Sequence, residues 1–421
     1  MVLRQLVALT AVIAVGRGIF YTVSALFLTR VVDLSLAEVG LGLTLAGAAG
    51  VVAALVGGAA ADRFGAVRTL TLTVVLQGLV LAVYPWVPDF LTFVLTASVL
   101  SAAFQAGSSA RGAIVAVAFA GAGRVVARAR MRVATNLGIS LGAVFGGAAI
   151  WLDTAASYRG VLMLAAVLYL GASLLVRRLS GALAEVTEQR HTNRSQSEPD
   201  RMTHPLDRWA PYRDRRYLTL VALSGISFLQ MGVFEVGVPL WIAGETEAPA
   251  WLYAALLLAN TALVIGLQVR LSRSSETIAG AGRASLRGGV LMAVACVAYA
   301  VAGTPGAVAA VCLLTVAAVL HTLAEILFSA GTWALGYELA DEARPGAYQG
   351  LMTFGNAAGT MVAPLVVTTA LGHGYGGWSV LAAVFGVTGL GLFVLAARAA
   401  GPSPADPDQM GGHRAASSSR M

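Results

Sequence analysis

The stretch Gly58-Ala59-Ala60-Ala61-Asp62-Arg63-Phe64-Gly65-Ala66-Val67-Arg68 is a short polar turn between two long apolar runs, residues 36–61 and 69–87. Because so short a link joins them, the two runs must cross a bilayer as an antiparallel helical pair. Gly65 can supply the positive φ that turns the chain, and Asp62 can accept hydrogen bonds from nearby backbone donors. The stretch therefore predicts a turn on one face of a membrane.

The composition of the chain is that of a polytopic membrane protein. Of 421 residues, 57% are hydrophobic and only 12% are charged, whereas about a quarter of an average soluble domain is charged. The 48 glycines suit closely packed transmembrane helices. All 28 basic residues are arginine, and they cluster at the ends of apolar runs. Membrane topology therefore explains the net charge of +7 better than a nucleic-acid partner does, and we expect none.

Twelve apolar runs are long enough to span the hydrocarbon core. They are residues 4–30, 38–61, 69–87, 91–118, 131–152, 160–178, 216–243, 250–270, 286–304, 307–334, 347–371 and 377–398. The arginine-rich segments alternate with arginine-poor ones, which places both termini in the cytoplasm. The predicted organisation is a six-helix unit over residues 1–178, a cytoplasmic linker over 179–215, a second six-helix unit over 216–398, and a disordered tail over 399–421.

Two motifs carry a resemblance to a known family. Gly58, Asp62, Arg63, Gly65 and Arg68 form the pattern Gly-x-x-x-Asp-Arg-x-Gly-x-x-Arg, which resembles the loop signature after the second helix of major facilitator superfamily transporters. An ordinary turn would account for a glycine and a charge, but it explains the whole spacing poorly.

The fifth span contains Gly138, Gly142, Gly146 and Gly147, and it resembles the antiporter signature of the same superfamily. Ala143 stands where that signature has proline, and a generic glycine packing face is the alternative explanation. The fourth span also departs from the proton-coupled exporters, since Ala102 stands where they carry arginine. Nearly the whole chain nevertheless looks like actinobacterial exporter-like members of the family.

The resemblance implies an all-α fold of two six-helix bundles, with spans 1, 4, 7 and 10 lining a central cavity. Polar side chains deep in those spans are the candidates for proton coupling or cavity lining: Arg17, Gln105, Glu235, His321 and Glu325. We favour Glu325 over Glu235 as the proton site, because His321 lies four residues away on the same helix face and can relay its proton. The alternative is a structural ion pair, such as Arg17 with Glu235 or Glu325.

The same resemblance predicts a cytoplasmic gate. If the halves pack as in the family, Asp62 faces the start of the eleventh span near residues 346–348, where the helix dipole favours a carboxylate. Arg63 and Arg68 would then meet Glu338, Asp341 or Glu342, and the turn would latch the outward-facing state. Arg111, near the cytoplasmic end of the fourth span, is expected to be a topology or gate residue.

These features predict a monomeric, multi-pass transporter in the plasma membrane that moves a small-molecule substrate. We favour proton-coupled efflux of a small amphipathic molecule, with uptake of a nutrient or metabolite as the alternative. A non-transporting membrane sensor is a third possibility, and it requires that Arg17, Glu235 and Glu325 all avoid a solvent-reachable cavity. Without lysine the chain has no Gly-Lys-Ser/Thr nucleotide-binding motif, and no nucleophile–base grouping points to an enzyme. We expect no cofactor and no metal, and we expect the proton gradient to supply the energy.

Overall fold

The structure is a computed structural model that describes residues 1–197, 209–303 and 306–400. In these ranges twelve helices are long and apolar enough to cross a membrane, as predicted. They are α1 (Val2–Arg30), α2 (Leu36–Phe64), α3 (Ala66–Trp86), α4 (Phe90–Ala118), α5 (Ala122–Leu152), α6 (Ala155–Ser197), α7 (Arg215–Glu245), α8 (Leu252–Ser275), α9 (Ile278–Val301), α10 (Ala307–Glu338), α11 (Pro345–Leu371) and α12 (Gly374–Ala400). A one-turn helix, Ala210–Arg213, precedes α7.

Several helices extend past their apolar runs, so the predicted boundaries are wrong there. The fifth helix begins at Ala122, nine residues before the predicted start at 131, and the ninth begins at Ile278 instead of 286. Both extensions carry arginines, which a search for apolar residues leaves out. Likewise α6 continues to Ser197, into the predicted linker, and α12 continues to Ala400. Residues 198–208 of that linker and 401–421 of the predicted tail lie outside the described residues.

Short polar sequences fix where several helices begin. Side-chain oxygens accept a hydrogen bond from a first-turn backbone N–H at the starts of α2, α4, α7 and α9, where the capping residues are Ser35, Asp89, Asp214 and Thr277. At the start of α2 the Glu38 carboxylate accepts a hydrogen bond from the Ser35 backbone in return, which completes a capping box. Gly65, between α2 and α3, has φ of 92°, the positive value predicted for this turn.

The helices form two bundles with equivalent internal pairing. In α1–α6 the main contacts are α1 with both α5 and α6, α2 with α4, and α3 with both α4 and α6. In α7–α12 the corresponding pairs recur as α7 with both α11 and α12, α8 with α10, and α9 with both α10 and α12. Each bundle has its own hydrophobic core. The two halves are therefore structural repeats, as the resemblance implied.

Glycines in α5 hold it close to α1. A methyl group at Gly142 would meet backbone atoms of Val15 and Ile19, and one at Gly138 or Gly146 would meet other atoms of α1. Three of the four motif glycines thus pack against a neighbouring helix, as either explanation of the motif requires. Gly147 does not, because nothing lies within 4 Å of a methyl group placed there.

Candidate functional site

The two bundles meet through α11 with α2 and α4, and through α5 with α8 and α10. Several polar contacts between the bundles lie at one end of the molecule, where α2 ends and α3, α5 and α11 begin. We call this the arginine-rich end, since it carries Arg63, Arg68 and Arg124. By the arginine distribution it is the predicted cytoplasmic end.

Asp62 joins the bundles at this end. Its Oδ1 accepts a hydrogen bond of 2.6 Å from the Gly346 backbone N–H, and its Oδ2 accepts one of 2.7 Å from Ala347. Because Pro345 has no N–H, these are the first two backbone donors of α11, at the positive end of its dipole. The predicted position of Asp62 is confirmed.

The backbones of α2 and α11 touch beside that contact. A methyl group at Gly58 would meet the Gly346 carbonyl oxygen and, at 2.8 Å, the Cα of Gly350. No larger residue fits at Gly58 without moving the helices apart. The first glycine of the motif therefore permits the approach that the aspartate then holds.

The predicted partners of the acidic residues are wrong. Arg124 of α5 lies 3.7 Å from the carboxylate of Glu338 and 3.9 Å from that of Glu342. The guanidinium of Arg63 instead lies over the Phe64 ring, 5.2 Å from its centroid. Within the described part of the chain, neither Arg63 nor Arg68 forms an ion pair with Glu338, Asp341 or Glu342. The N-terminal extension of α5, which lies before the predicted fifth span, brings Arg124 to this position.

One helical turn further along α5, Arg128 ties the bundles together again. Its Nε donates a hydrogen bond of 2.6 Å to the Tyr337 hydroxyl, and its Nη2 donates one of 3.2 Å to Oε1 of Gln349. The amide of Gln349 donates in turn to the Gly336 carbonyl at 3.1 Å, and the Tyr217 hydroxyl donates to the same carbonyl at 3.0 Å. These buried groups close the arginine-rich end.

Arg132 and Glu325 form the deepest polar contact between the bundles. Nη2 of Arg132 is paired with Oε1 of Glu325 on α10, and Nη1 donates a hydrogen bond of 2.9 Å to the Ser329 hydroxyl. The other carboxylate oxygen, Oε2, accepts a hydrogen bond of 3.1 Å from the Asn260 amide of α8. Glu325 is only 7% exposed. A single carboxylate thus links α10 with α5 and α8.

Arg132 was missed in the sequence, although a signal for it exists. Arg124, Arg128 and Arg132 recur every four residues, so they lie on one face of a helix. Starting the predicted fifth span at residue 131 concealed this repeat. In the structure the three guanidiniums line one stripe of α5, and each contacts α10 or its C-terminal end.

His321 faces away from the Glu325 contacts, into the C-terminal bundle. Its Nε2 is 2.7 Å from Oε1 of Gln230 on α7, and its ring packs against Phe234 and Tyr299. The imidazole is fully buried, and its Nδ1 has no hydrogen-bond partner among the described residues. No direct hydrogen bond joins His321 to Glu325 there. A relay between these two residues therefore has no direct contact to use.

Glu235 lies on an irregular turn of α7. Residues Val233–Gly237 form a π-helical turn, in which Val238 donates its N–H to the Val233 carbonyl. The sequence explains the irregularity, because Pro239 has no N–H to donate to the carbonyl of Glu235 four residues earlier. The side chain of Glu235 is exposed in the protein and within electrostatic range of Glu325.

Among the described residues Arg17 pairs with neither carboxylate, so Arg17 is the wrong partner in that example. The alternative of a structural ion pair stays open, because Glu325 pairs with Arg132 instead. Its Nε donates a hydrogen bond of 2.7 Å to the Tyr21 hydroxyl, and its guanidinium carbon lies 3.9 Å from the centroid of the Phe104 ring. Arg17 lines a cavity of about 170 Å³ inside the N-terminal bundle.

The remaining candidates on α4 make no polar contact between the bundles. Gln105 is half-buried beside Gly50 of α2, while its neighbours Ser101 and Phe104 line the cavity next to Arg17. Arg111 is also half-buried, with its guanidinium 5.9 Å from the Phe104 ring centroid.

Charge is divided between the bundles. The arginines deep in the protein, Arg17, Arg111, Arg128 and Arg132, all belong to α1–α6, whereas Glu235 and Glu325 belong to α7–α12. No group of three side chains suited to hold a metal ion occurs among the residues that the structure describes. The arrangement can bind and release a proton at a carboxylate between the bundles, and it can attract an anion to the N-terminal bundle.

Comparison with known proteins identifies the family. The family model described as the Major Facilitator Superfamily matches residues 6–364, while no curated protein matches the chain. A bacterial homologue of the iron transporter ferroportin, in its outward-facing state, superposes with a TM-score of 0.71 at 13% identity, covering 94% of this chain and 99% of that one.

Two other solved structures share the fold. The human organic anion transporter MFSD10 (TETRAN) has a TM-score of 0.67 at 14% identity, with 93% of this chain and 98% of that chain covered. The proton:xylose symporter XylE has a TM-score of 0.66 at 11% identity, with 94% and 95% covered. At these identities the likeness shows the fold alone. From the family model, the twelve spans and the paired bundles, this chain belongs to the major facilitator superfamily of membrane transporters.

Proposed function

We propose that the protein is a proton-coupled secondary transporter that exports a small amphipathic organic molecule by alternating access. Family membership and the paired bundles support transport by movement of one bundle against the other. The observation that carries the proton coupling is the contact of Glu325 with Arg132, since it is a titratable ion pair between the two moving bodies.

Glu325 is placed to couple its protonation to the movement. With its carboxylate charged, it holds Arg132 of α5 and, with Asp62 and Arg128, keeps the arginine-rich end closed. Protonation removes the charge that Arg132 binds, so the two bundles can separate at that end. Reopening the opposite end then requires that the proton leave and the ion pair reform. Net movement of protons inward would drive the substrate outward.

The charged and polar groups around Glu325 favour it over Glu235 as the proton site. Arg132 comes from α5, Asn260 from α8, Ser329 from α10 itself, and the exposed Glu235 from α7. Of the two carboxylates, only Glu325 contacts the other bundle within the described residues. Protonation of Glu235 would break no contact between bundles in the described residues, so it does not explain a change of state.

The test uses inside-out vesicles with an imposed pH gradient and a panel of hydrophobic cations, neutral antibiotics and organic anions. We expect a transported compound to dissipate the gradient in the wild type. Glu325→Gln should abolish this while substrate exchange persists, because a neutral side chain cannot cycle between two protonation states. Glu245→Gln is the control, because Glu245 is an exposed carboxylate at the C-terminal end of α7.

Two results would redirect the proposal. If proton movement accompanies a compound in the same direction, the alternative of uptake by symport replaces efflux. If Glu325→Gln couples as well as the wild type, the assignment of the proton site is wrong. The sensor alternative requires that Arg17, Glu235 and Glu325 all avoid a solvent-reachable cavity, and the cavity beside Arg17 is an observation against it.

A further inference from the structure

The guanidinium of Arg17 has cationic donors that no acidic group among the described residues satisfies. Its Nε is used by Tyr21, and the rings of Phe104 and Tyr21 lie against it with centroids 3.9 and 4.9 Å from its central carbon. In the described part of the chain Arg17 forms no ion pair. A charge at this depth of a membrane span is costly, so its position calls for a polar or anionic partner.

The space next to Arg17 is a cavity with both polar and apolar walls. It has a volume of about 170 Å³ and lies among α1, α2, α3, α4 and α6. Its polar lining, apart from Arg17 and Tyr21, consists of Gln77, Ser101 and Tyr169. The Gln77 amide N–H is directed to the backbone carbonyls of Thr73 and Ala103, at 2.9 and 3.4 Å. That arrangement holds the side chain in place and leaves its carbonyl oxygen as the acceptor.

The rest of the lining is apolar and includes Phe20, Leu43, Leu81 and Leu100. Such walls bind the carbon skeleton of a ligand, while a few fixed polar groups orient it. The aromatic rings that contact Arg17 also hold its planar guanidinium in one orientation, with Nη1 and Nη2 available to bind a planar anion through two hydrogen bonds.

We infer that this cavity binds the carboxylate of a small organic monoanion, with Arg17 as its recognition residue. The lining holds one cation, Arg17, which matches a single negative charge. A second cation, Arg111, lies outside the lining near the Phe104 ring, 5.9 Å from its centroid, and adds to the attraction for an anion. The aromatic and aliphatic walls fit a ring or short hydrocarbon chain. The inference rests on the proposed function for passage of this anion across the membrane, and it narrows the substrate class to organic anions.

The probe pair is benzoate and its neutral isostere benzamide, and binding is measured by the concentration dependence of thermal stabilisation of the purified full chain. Benzoate should stabilise the wild type saturably, and benzamide should bind at least about tenfold more weakly. Arg17→Gln should weaken benzoate about tenfold to hundredfold and leave benzamide unchanged. Arg17→Lys should retain part of the preference, since it keeps the charge but loses the planar pair of donors.

Arg30→Gln is the matched control, because Arg30 lies on the same helix and pairs with Asp153 outside the cavity. It should bind benzoate as the wild type does. Should Arg17→Gln fail to fold, Tyr21→Phe replaces it: this variant keeps both rings, removes the hydroxyl that holds Arg17, and should weaken benzoate several-fold.

Equal binding of benzoate and benzamide, no binding of benzoate to the wild type, or full benzoate affinity in Arg17→Gln would overturn the inference. Because binding is measured without a gradient, its outcome is separate from that of the transport test. Benzoate binding with no proton coupling would contradict the proposed function and leave the anion site standing. Proton coupling with no preference for benzoate over benzamide would contradict the anion site and leave the proposed function standing.

Discussion

At the scale of single residues, Arg132 and Glu325 matter because each comes from a different bundle. The side chains are largely buried, with 18% and 9% of their surfaces exposed. Taking two charges out of water is costly, and hydrogen bonds from Arg132 to Ser329 and from Asn260 to Glu325 offset part of that cost. The Nε of Arg132 is buried without a hydrogen-bond partner among the described residues. Losing one partner is therefore worse than losing both.

This argument predicts the outcome of a double-mutant cycle. Arg132→Met should destabilise the protein by about 3 kcal/mol, because it leaves the Glu325 carboxylate buried without a cation. The double variant Arg132→Met/Glu325→Leu should recover most of that loss. Thermal unfolding of the purified variants measures both effects. A double variant no more stable than Arg132→Met would show that the unpaired Glu325 carboxylate is not the cause of the lost stability.

A second residue-scale prediction concerns Asp153, in the loop between α5 and α6. The Tyr158 hydroxyl and the Arg30 guanidinium donate hydrogen bonds of 2.7 and 2.5 Å to its Oδ1, and they hold the pKa of this carboxyl below its usual value. A lowered pKa in the folded state stabilises the protein above the unfolded pKa of about 4 and ceases to do so as pH falls through the folded value.

The wild type should therefore be slightly more stable than Asp153→Asn from about pH 5 to pH 8, with no pH dependence of the difference. The difference should shrink only below about pH 4, as the Asp153 carboxyl becomes protonated in the folded protein too. Melting temperatures of both proteins across this pH range measure it. A difference that changes near neutral pH would point to another titrating group.

The contacts of a residue could be predicted only where the sequence or the family resemblance also indicated its partner. Asp62 was placed correctly because the family resemblance brings it to the start of the eleventh span, where the helix dipole favours a carboxylate. Arg63 and Arg68 were given wrong partners because residues 122–130 are too polar to register as a membrane span, yet they are helical and carry Arg124, which pairs with Glu338. Arg132 lies inside the predicted fifth span, and it was missed because only spans 1, 4, 7 and 10 were expected to line the cavity.

At the scale of elements, the crossing of α2 and α11 holds the arginine-rich end closed. Two features act together there: Gly58 lets the two backbones touch, and Asp62 caps α11. Both must hold for the closed arrangement to persist, since a side chain at Gly58 would displace the donors of Gly346 and Ala347 from the carboxylate. The twelve elements were predictable from hydropathy, but this crossing was accessible only through the family resemblance.

The crossing predicts a matched pair of glycine variants. Gly58→Ala should open the arginine-rich end, because its methyl group would meet the Gly346 carbonyl. Gly47→Ala on the same helix should not, since nothing lies within 4 Å of its methyl group. The reporter is Ala347→Cys, a buried position, in a chain whose Cys296 and Cys312 are replaced. Its labelling rate should rise several-fold with Gly58→Ala.

Asp62→Asn tests the other half of the same contact. It keeps the shape of the side chain but removes the charge and one acceptor, so labelling of Ala347→Cys should also rise, though less than with Gly58→Ala. Labelling that is unchanged in both variants would contradict a latch at this crossing. Labelling that rises equally with Gly47→Ala would mean that the reporter responds to general loosening of α2.

At the scale of the whole molecule, the two bundles carry charges of opposite sign deep in the protein. The arginines at depth belong to one repeat and the carboxylates to the other, so closure at the arginine-rich end brings opposite charges together. Protonating Glu325 removes the deepest of these attractions and leaves the Asp62 and Arg128 contacts in place. The closed and open states then need differ by only a few kcal/mol for one proton to change their populations.

This predicts a pH-dependent distance between the bundles. Spin labels at Ala66→Cys on α3 and Ala343→Cys between α10 and α11 span the arginine-rich end, in the same cysteine-replaced background. In the wild type, the longer distance should gain population once the pH is low enough to protonate Glu325. In Glu325→Gln it should be populated at every pH, because the glutamine cannot hold Arg132 as a carboxylate does. Glu245→Gln should behave as the wild type. A wild-type pH response that survives intact in Glu325→Gln would place the proton elsewhere, and Glu235 would be the next residue to replace.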